Sequence, residues 1–170
     1  MESDIITSNN SKASDNSIAG NVQHKPLVDP KTHMRLLKVI QGNLNQRISC
    51  TLSAWPLSSV PAYTAISYTW GSPSDTATIL IDGKPKVVRR NCEYVLRQAY
   101  AADTDAYYWV DDICIDQSLT EEKNHQVSMM GDLHKRGARV LACVGEHADD
   151  SEFLPCQKPV RSIDRTRSDA

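Results

Sequence analysis

Three aspartates, Asp111, Asp112 and Asp116, fall directly after the apolar run Tyr107-Tyr108-Trp109-Val110. Carboxylates just past the end of a buried parallel strand can position a ribose or a metal ion, because α/β folds build their sites there. The same residues have structural roles open to them: Asp116 can cap a turn and Asp112 can face water. Cys114 offers a nucleophile, but its neighbours Ile113 and Ile115 and the lack of an assigned base mark a buried, inert thiol. Gln117 carries an amide that must be paired if buried, and a hydrogen bond locking the loop satisfies it. Glu121 and Glu122 stand in the first turn of an expected helix, where the macrodipole favours anions. Capping accounts for both without catalysis. Upstream, Trp70-Gly71 can bind a ligand, although an aromatic closing a strand before a glycine more commonly packs and turns. No residue is assigned a catalytic role.

The elements that would position these residues follow from periodicity. Residues 34–40 and 48–52 are short, partly β-branched runs separated by a turn-like stretch, and read as two strands. Residues 65–70 alternate with a period of two and are closed by Gly71, Ser72 and Pro73. The segment around Asp82-Gly83 predicts an antiparallel hairpin, since a tight turn requires positive φ there. Asn91 is placed to cap a helix whose apolar positions, Cys92, Val95, Leu96, Ala99 and Tyr100, form one stripe. Residues 107–110 read as a buried strand. Ser118 and Glu121 match a capping box opening a helix to about residue 136, with Val127, Met130 and Leu133 inward. Residues 139–144 read as a further buried strand. Alternating strands and helices argue for an α/β fold with a partly parallel central sheet flanked by helices.

Composition narrows the function classes. With 40% hydrophobic and 24% charged residues in a chain of 170, it reads as one globular domain of ordinary size. The formal net charge of -2 gives no nucleic-acid footprint. No apolar run approaches a membrane span, and the N-terminus lacks the apolar stretch of a secretory signal. The five cysteines and five histidines are scattered without a CxxC pair, so neither a disulfide framework nor a metal site is expected. Reduced thiols in a cytoplasmic protein fit that pattern. Residues 1–30 are read as a disordered leader, 31–147 as the domain, and 148–170 as an irregular or truncated tail.

Three blocks in order carry a resemblance: YTAISYTWG at 63–71, YWVDDICIDQ at 108–117, and EEKNHQVSMMGDLHKRGARVLACVG at 121–145. They resemble the signalling domain of fungal heterokaryon-incompatibility (HET) proteins, with a motif core at 63–145. The pattern W-x-D-x-x-C-I-x-Q is the most specific part. The chain departs from the family's usual pattern at His134, where an aromatic is common, at Gly137, and near Cys143. The resemblance implies non-self recognition and regulated cell death in filamentous fungi, acting by self-association or by docking another HET or recognition protein. It also implies distant kinship to Toll/interleukin-receptor (TIR) domains and a TIR- or flavodoxin-like sandwich. Some TIR domains hydrolyse NAD, so the alternative is an NAD glycohydrolase using a carboxylate at the C-terminal edge of the sheet. NAD would then be a substrate, and no cofactor is expected. The motif residues implied for a functional rim are Trp70, Gly71, Trp109, Asp111, Asp112, Cys114, Asp116, Gln117 and Glu121. A shortened chain of modest stability that does not hydrolyse NAD alone is the further expectation.

Overall fold

The computed structural model describes Val22 and residues 24–143. The expectations for residues 148–170, and for most of the leader, lie outside these described residues. The elements in chain order are β1 (His33–Gln41), β2 (Ser49–Pro56), β3 (Tyr63–Tyr68), β4 (Thr76–Ile81), β5 (Lys84–Arg89), α1 (Arg90–Ala102), β6 (Tyr107–Val110), α2 (Asp111–Cys114), α3 (Thr120–Ser128), α4 (Met130–Arg136) and β7 (Arg139–Cys143). The strands form one sheet in the order β5-β4-β2-β1-β6-β3-β7. β3 runs parallel to both β6 and β7. β1 is antiparallel to β2 and β6. This is the expected α/β class, with a mixed sheet that is parallel at one end and carries an antiparallel hairpin, β4–β5, at the other.

Local chemistry explains the hairpin. Asp82 (φ 50°) and Gly83 (φ 76°) both occupy the left-handed region. Such a two-residue turn matches the right-handed twist of the strands, and Asp and Gly tolerate the conformation.

Helices cover both faces around β6. Successive residues of a strand point to opposite faces. The Tyr108 hydroxyl lies 2.7 Å from Ala99 O and 2.9 Å from Asp103 O, at the end of α1. Its neighbour Trp109 meets the ring of His134 on α4, edge to face at 5.1 Å between centroids. Tyr63, directly across from Tyr107 on β3, donates to Leu133 O of α4 at 2.5 Å. The core lies between these layers and the sheet. Leu36, Leu37, Ile66, Leu96, Trp109, Val110 and Ile113 are among its fully buried members.

Four expectations are corrected. Arg89, not Asn91, is the N-cap of α1, and Asn91 lies within the first turn. The helix expected to run unbroken to residue 136 is two helices meeting at Met129, which is the C-cap of the first and the N-cap of the second. Gly131 just beyond weakens helical propensity there. The capping box is not formed either: Leu119 is the N-cap and no side chain caps α3. Val127 is 48% exposed, because the buried side of α3 consists of the polar residues Glu122 and Gln126.

The Tyr108 hydroxyl ties β6 to the end of α1, so Tyr108→Phe is expected to lower unfolding stability by about 1–2 kcal/mol. Urea denaturation measures it. An unchanged midpoint would show that the clamp carries no stability.

Candidate functional site

β6 and β3 are parallel neighbours, so their C-terminal ends open on the same edge of the sheet. With Ile66 opposite Val110, the chain leaves β6 at Asp111 beside Ser67 and Tyr68 of β3. The connection after β3 leads through α1, and that after β6 leads through α4, which pack on opposite faces. The crevice position, where two such connections diverge, is the usual place for sites in open α/β sheets.

On the β3 side, Gly71 has φ 72°. A Cβ there would come within 2.8 Å of the Asn91 amide, so the position requires glycine for conformation and for space. Asn91 Nδ2 donates to Thr69 O at 2.8 Å, anchoring this loop to α1. Trp70 remains 41% exposed. The Arg89 guanidinium stacks 4.7 Å from its ring centroid and donates to Gly71 O at 3.3 Å. The residue read as a strand-closing core aromatic is therefore a solvent-facing ring held in place by a cation.

On the β6 side, the short helix α2 carries both carboxylates. Burial pushes the Asp111 carboxyl up from the ordinary range, and the charge of Asp112 adds to this. The Asp112 N–H donation to Asp111 Oδ1 (2.8 Å) and the nearby His134 oppose it without reversing it. The Tyr68 hydroxyl donates to Asp112 Oδ2 at 3.4 Å. Burial pushes the Tyr68 phenol strongly up, with Cys92 and Asp112 contributing, so it stays a neutral donor. Gln117 Nε2 donates to Asp111 O at 3.2 Å, which is the loop-locking bond its amide suggested.

The remaining motif residues lie elsewhere. Cys114 is buried, and burial pushes its thiol up to about 12. Its sulfur accepts the Val110 N–H at 3.4 Å. Cys50 and Cys92 are likewise buried free thiols raised to about 12 by burial. A nucleophilic role fits none of them. Trp109 is fully buried, and its indole N–H has no hydrogen-bond acceptor among the described residues. Glu121 is exposed on α3. No group of three or more His, Cys, Asp or Glu among the described residues could hold a metal ion.

Asp116 belongs to a second, buried cluster that the sequence did not reveal. Burial pushes its carboxyl up, but the Ser118 hydroxyl (2.6 Å) and N–H (3.0 Å), His24 and Arg35 outweigh this, and the net direction is down. Arg35 on β1 forks onto both oxygens of Glu122, with Nη2–Oε2 at 3.0 Å, and the pair is almost fully buried. Arg35 also donates to Cys114 O (3.2 Å) and Lys25 O (2.6 Å). Glu122 Oε1 in turn accepts the Asp116 N–H at 2.8 Å. His24 Nε2 bonds to Ile113 O at 2.6 Å, and Gln126 Nε2 donates to Pro30 O and His33 O. Residues 24–30, placed in the leader by composition, thus lie against this cluster, with Leu27 buried. The only sequence signal was position: Glu122 and Gln126 sit four apart on one helix face. Glu122 reads from the sequence only as a first-turn residue explained by capping.

Comparison with known proteins fits this arrangement. Residues 63–169 match the family model described as heterokaryon incompatibility protein (HET). That span begins at β3 and takes in the whole crevice. Heterokaryon incompatibility protein 6, OR allele, from Neurospora crassa is 32% identical over 159 residues, covering 84% of this chain. The chain belongs to the heterokaryon incompatibility family. It spans only 23% of the length of that relative. No solved structure matches it. Within this HET chain, the family pattern W-x-D-x-x-C-I-x-Q resolves into separate physical tasks. Trp109 and Cys114 pack the core, Gln117 holds the Asp111 carbonyl, and Asp116, at an unspecified position of the pattern, joins the buried cluster.

Two outcomes follow from the electrostatics. Removing one partner of the buried pair, in Arg35→Met or Glu122→Leu, is expected to destabilise the fold by about 3–5 kcal/mol, and the double variant by clearly less. A double-mutant cycle in denaturant checks this, and additive losses would contradict it. Asp111 has a folded-state pKa raised above its unfolded value, so its contribution to stability is full at acid pH and is lost as pH rises through the raised value. Asp111→Asn is therefore expected to gain stability relative to wild type from about pH 4 upward. Unfolding free energies across pH 3–7 test the sign. A gain that appears only at the acid end would refute it.

Proposed function

We propose that this chain is an incompatibility-type signalling module, serving non-self recognition and regulated cell death through protein association at the Trp70 rim. The observation that carries the reading is an exposed indole fixed from below. Arg89 stacks on Trp70, Gly71 supplies the turn, and Asn91 pins the loop to α1. Trp and Arg dominate the energetics of protein interfaces, and an aromatic already held in one geometry loses little entropy on docking. Family membership and the likeness to the Neurospora crassa protein support the biological setting. The buried free thiols Cys50, Cys92 and Cys114 suit a reducing, cytoplasmic compartment. No helix among the described residues is long and apolar enough to cross a membrane.

The crevice favours a second reading. Asp111, with its raised carboxyl, lies beside Asp112 and Tyr68 at the C-terminal edge of parallel strands. A carboxyl poised by burial is the kind of group that acid–base chemistry employs. A TIR-like NAD glycohydrolase would use it toward the nicotinamide ribose.

Trp70→Ala separates the two. Under association, it is expected to keep the wild-type melting temperature and weaken assembly by about tenfold or more, a loss of roughly 1.4 kcal/mol. Analytical ultracentrifugation and cell death on expression in a fungal host are the measurements. Full death signalling by Trp70→Ala would sink the association reading. Nicotinamide release from NAD by the purified chain, abolished in Asp111→Asn, would put the enzyme in its place.

A further inference from the structure

The sheet has a gap beside β4. β2 meets β4 only at Ser49↔Leu80 and Cys50↔Ile81. Residues 76–79 therefore have β5 on one side and no strand on the other. The ladder shows which main-chain groups face the gap. Leu80 N–H donates to Ile48 O at 2.8 Å and Asp82 N–H to Cys50 O at 2.9 Å, so the even-numbered residues turn toward the β2 side. The opposite strand agrees, because Leu80 stands across from Pro85, which has no N–H to give. Thr76 and Thr78 thus present their main chain to the gap. Arg90 Nη2 takes Thr76 O at 3.0 Å. The Thr76 N–H and both main-chain groups of Thr78 meet no partner among the described residues.

The gap opens into a groove of about 530 Å³ between the 44–47 turn, β4 and the start of α1. Leu44 and Val87 at its margins are 79% and 61% exposed. Arg47, Arg90 and Arg97 line it with Glu93, and Asp75 beside it also pairs with Arg90 at 3.3 Å. Glu93 is shared between Arg90 (3.0 Å) and Arg97 (2.7 Å), while Arg47 has no hydrogen bond or ion pair among the described residues. The outer edge of the sheet is built differently. β5 carries Lys84-Pro85-Lys86 there, a charged and donor-poor run of the kind that discourages pairing.

We propose that this groove docks an extended, acidic peptide segment of a partner protein by strand addition to residues 76–78. The free Thr78 N–H and C=O supply main-chain pairing, the arginines select carboxylate side chains, and Leu44 and Val87 cover alternate apolar ones. The surface is separate from the Trp70 rim and stands whichever reading of that rim holds.

The test uses the full chain and three fluorescein-labelled probes of about ten residues: a Glu/Val/Thr peptide, its Lys/Val/Thr counterpart, and oligo-uridine. Saturable anisotropy is expected with the acidic peptide alone. Arg47→Glu and Thr78→Pro should each weaken it about tenfold or more, the proline removing the free donor while leaving the ladders to β5 and β2 intact. In the wild-type chain, hydrogen exchange at the Thr78 amide should slow on adding the acidic peptide, a readout that needs no variant. Equal binding of the basic peptide or of oligo-uridine overturns the proposal. So does binding that leaves the Thr78 amide unprotected, which would make the groove a diffuse basic surface.

Discussion

The Arg35–Glu122 pair is the constraint on which the architecture around the crevice depends. A guanidinium rooted in β1 and a carboxylate rooted in α3 are both removed from water, and each would be strongly unfavourable alone. Their remaining hydrogen-bonding capacity is spent on main-chain groups at 25, 114 and 116. The pair therefore determines where α2 ends, where α3 begins, and how the segment before β1 lies across them. Because the network is satisfied, its geometry is narrowly specified, and Asp111 and Asp112 inherit that precision at the other end of α2.

The two acidic clusters are managed in opposite ways. Asp116 is surrounded by donors and cationic groups, which favour its charged form despite burial. Asp111 is buried with a second carboxylate next to it, and its main-chain donors and His134 do not offset this, so its carboxyl is pushed up. Residues five positions apart thus respond to acid with opposite sign. The stabilised charge belongs to the interior bracing, and the destabilised one lies at the C-terminal end of β6.

Much of the fold was legible from local chemistry. Asp82-Gly83 specified the hairpin turn, the stripe through Cys92, Val95, Leu96 and Ala99 gave α1, and the apolar run at 107–110 marked a buried strand. These features depend on near neighbours in sequence. The errors share a cause too. Asn91 and the Ser118–Glu121 pattern satisfied a capping rule, but other partners took the side chains: Thr69 O across the fold for Asn91, and the nearby Asp116 for Ser118. Val127 appeared inward because apolar periodicity was assumed for α3, whose buried face is polar.

The residue pattern alone therefore determined the α/β class, the order of its elements, the family resemblance and the position of a carboxylate-bearing loop after a buried strand. Periodicity, turn chemistry and motif spacing all act over a few residues, and the chain carries them wherever it goes. Tertiary structure decided which carboxylate is buried with donors and which with a like charge. It also decided that Trp70 faces solvent under Arg89, and that β4 is left half unpaired beside three arginines. The burial of the aspartates, the Arg89–Trp70 stack and the gap beside β4 all follow from strand pairing and helix packing that no local pattern encodes.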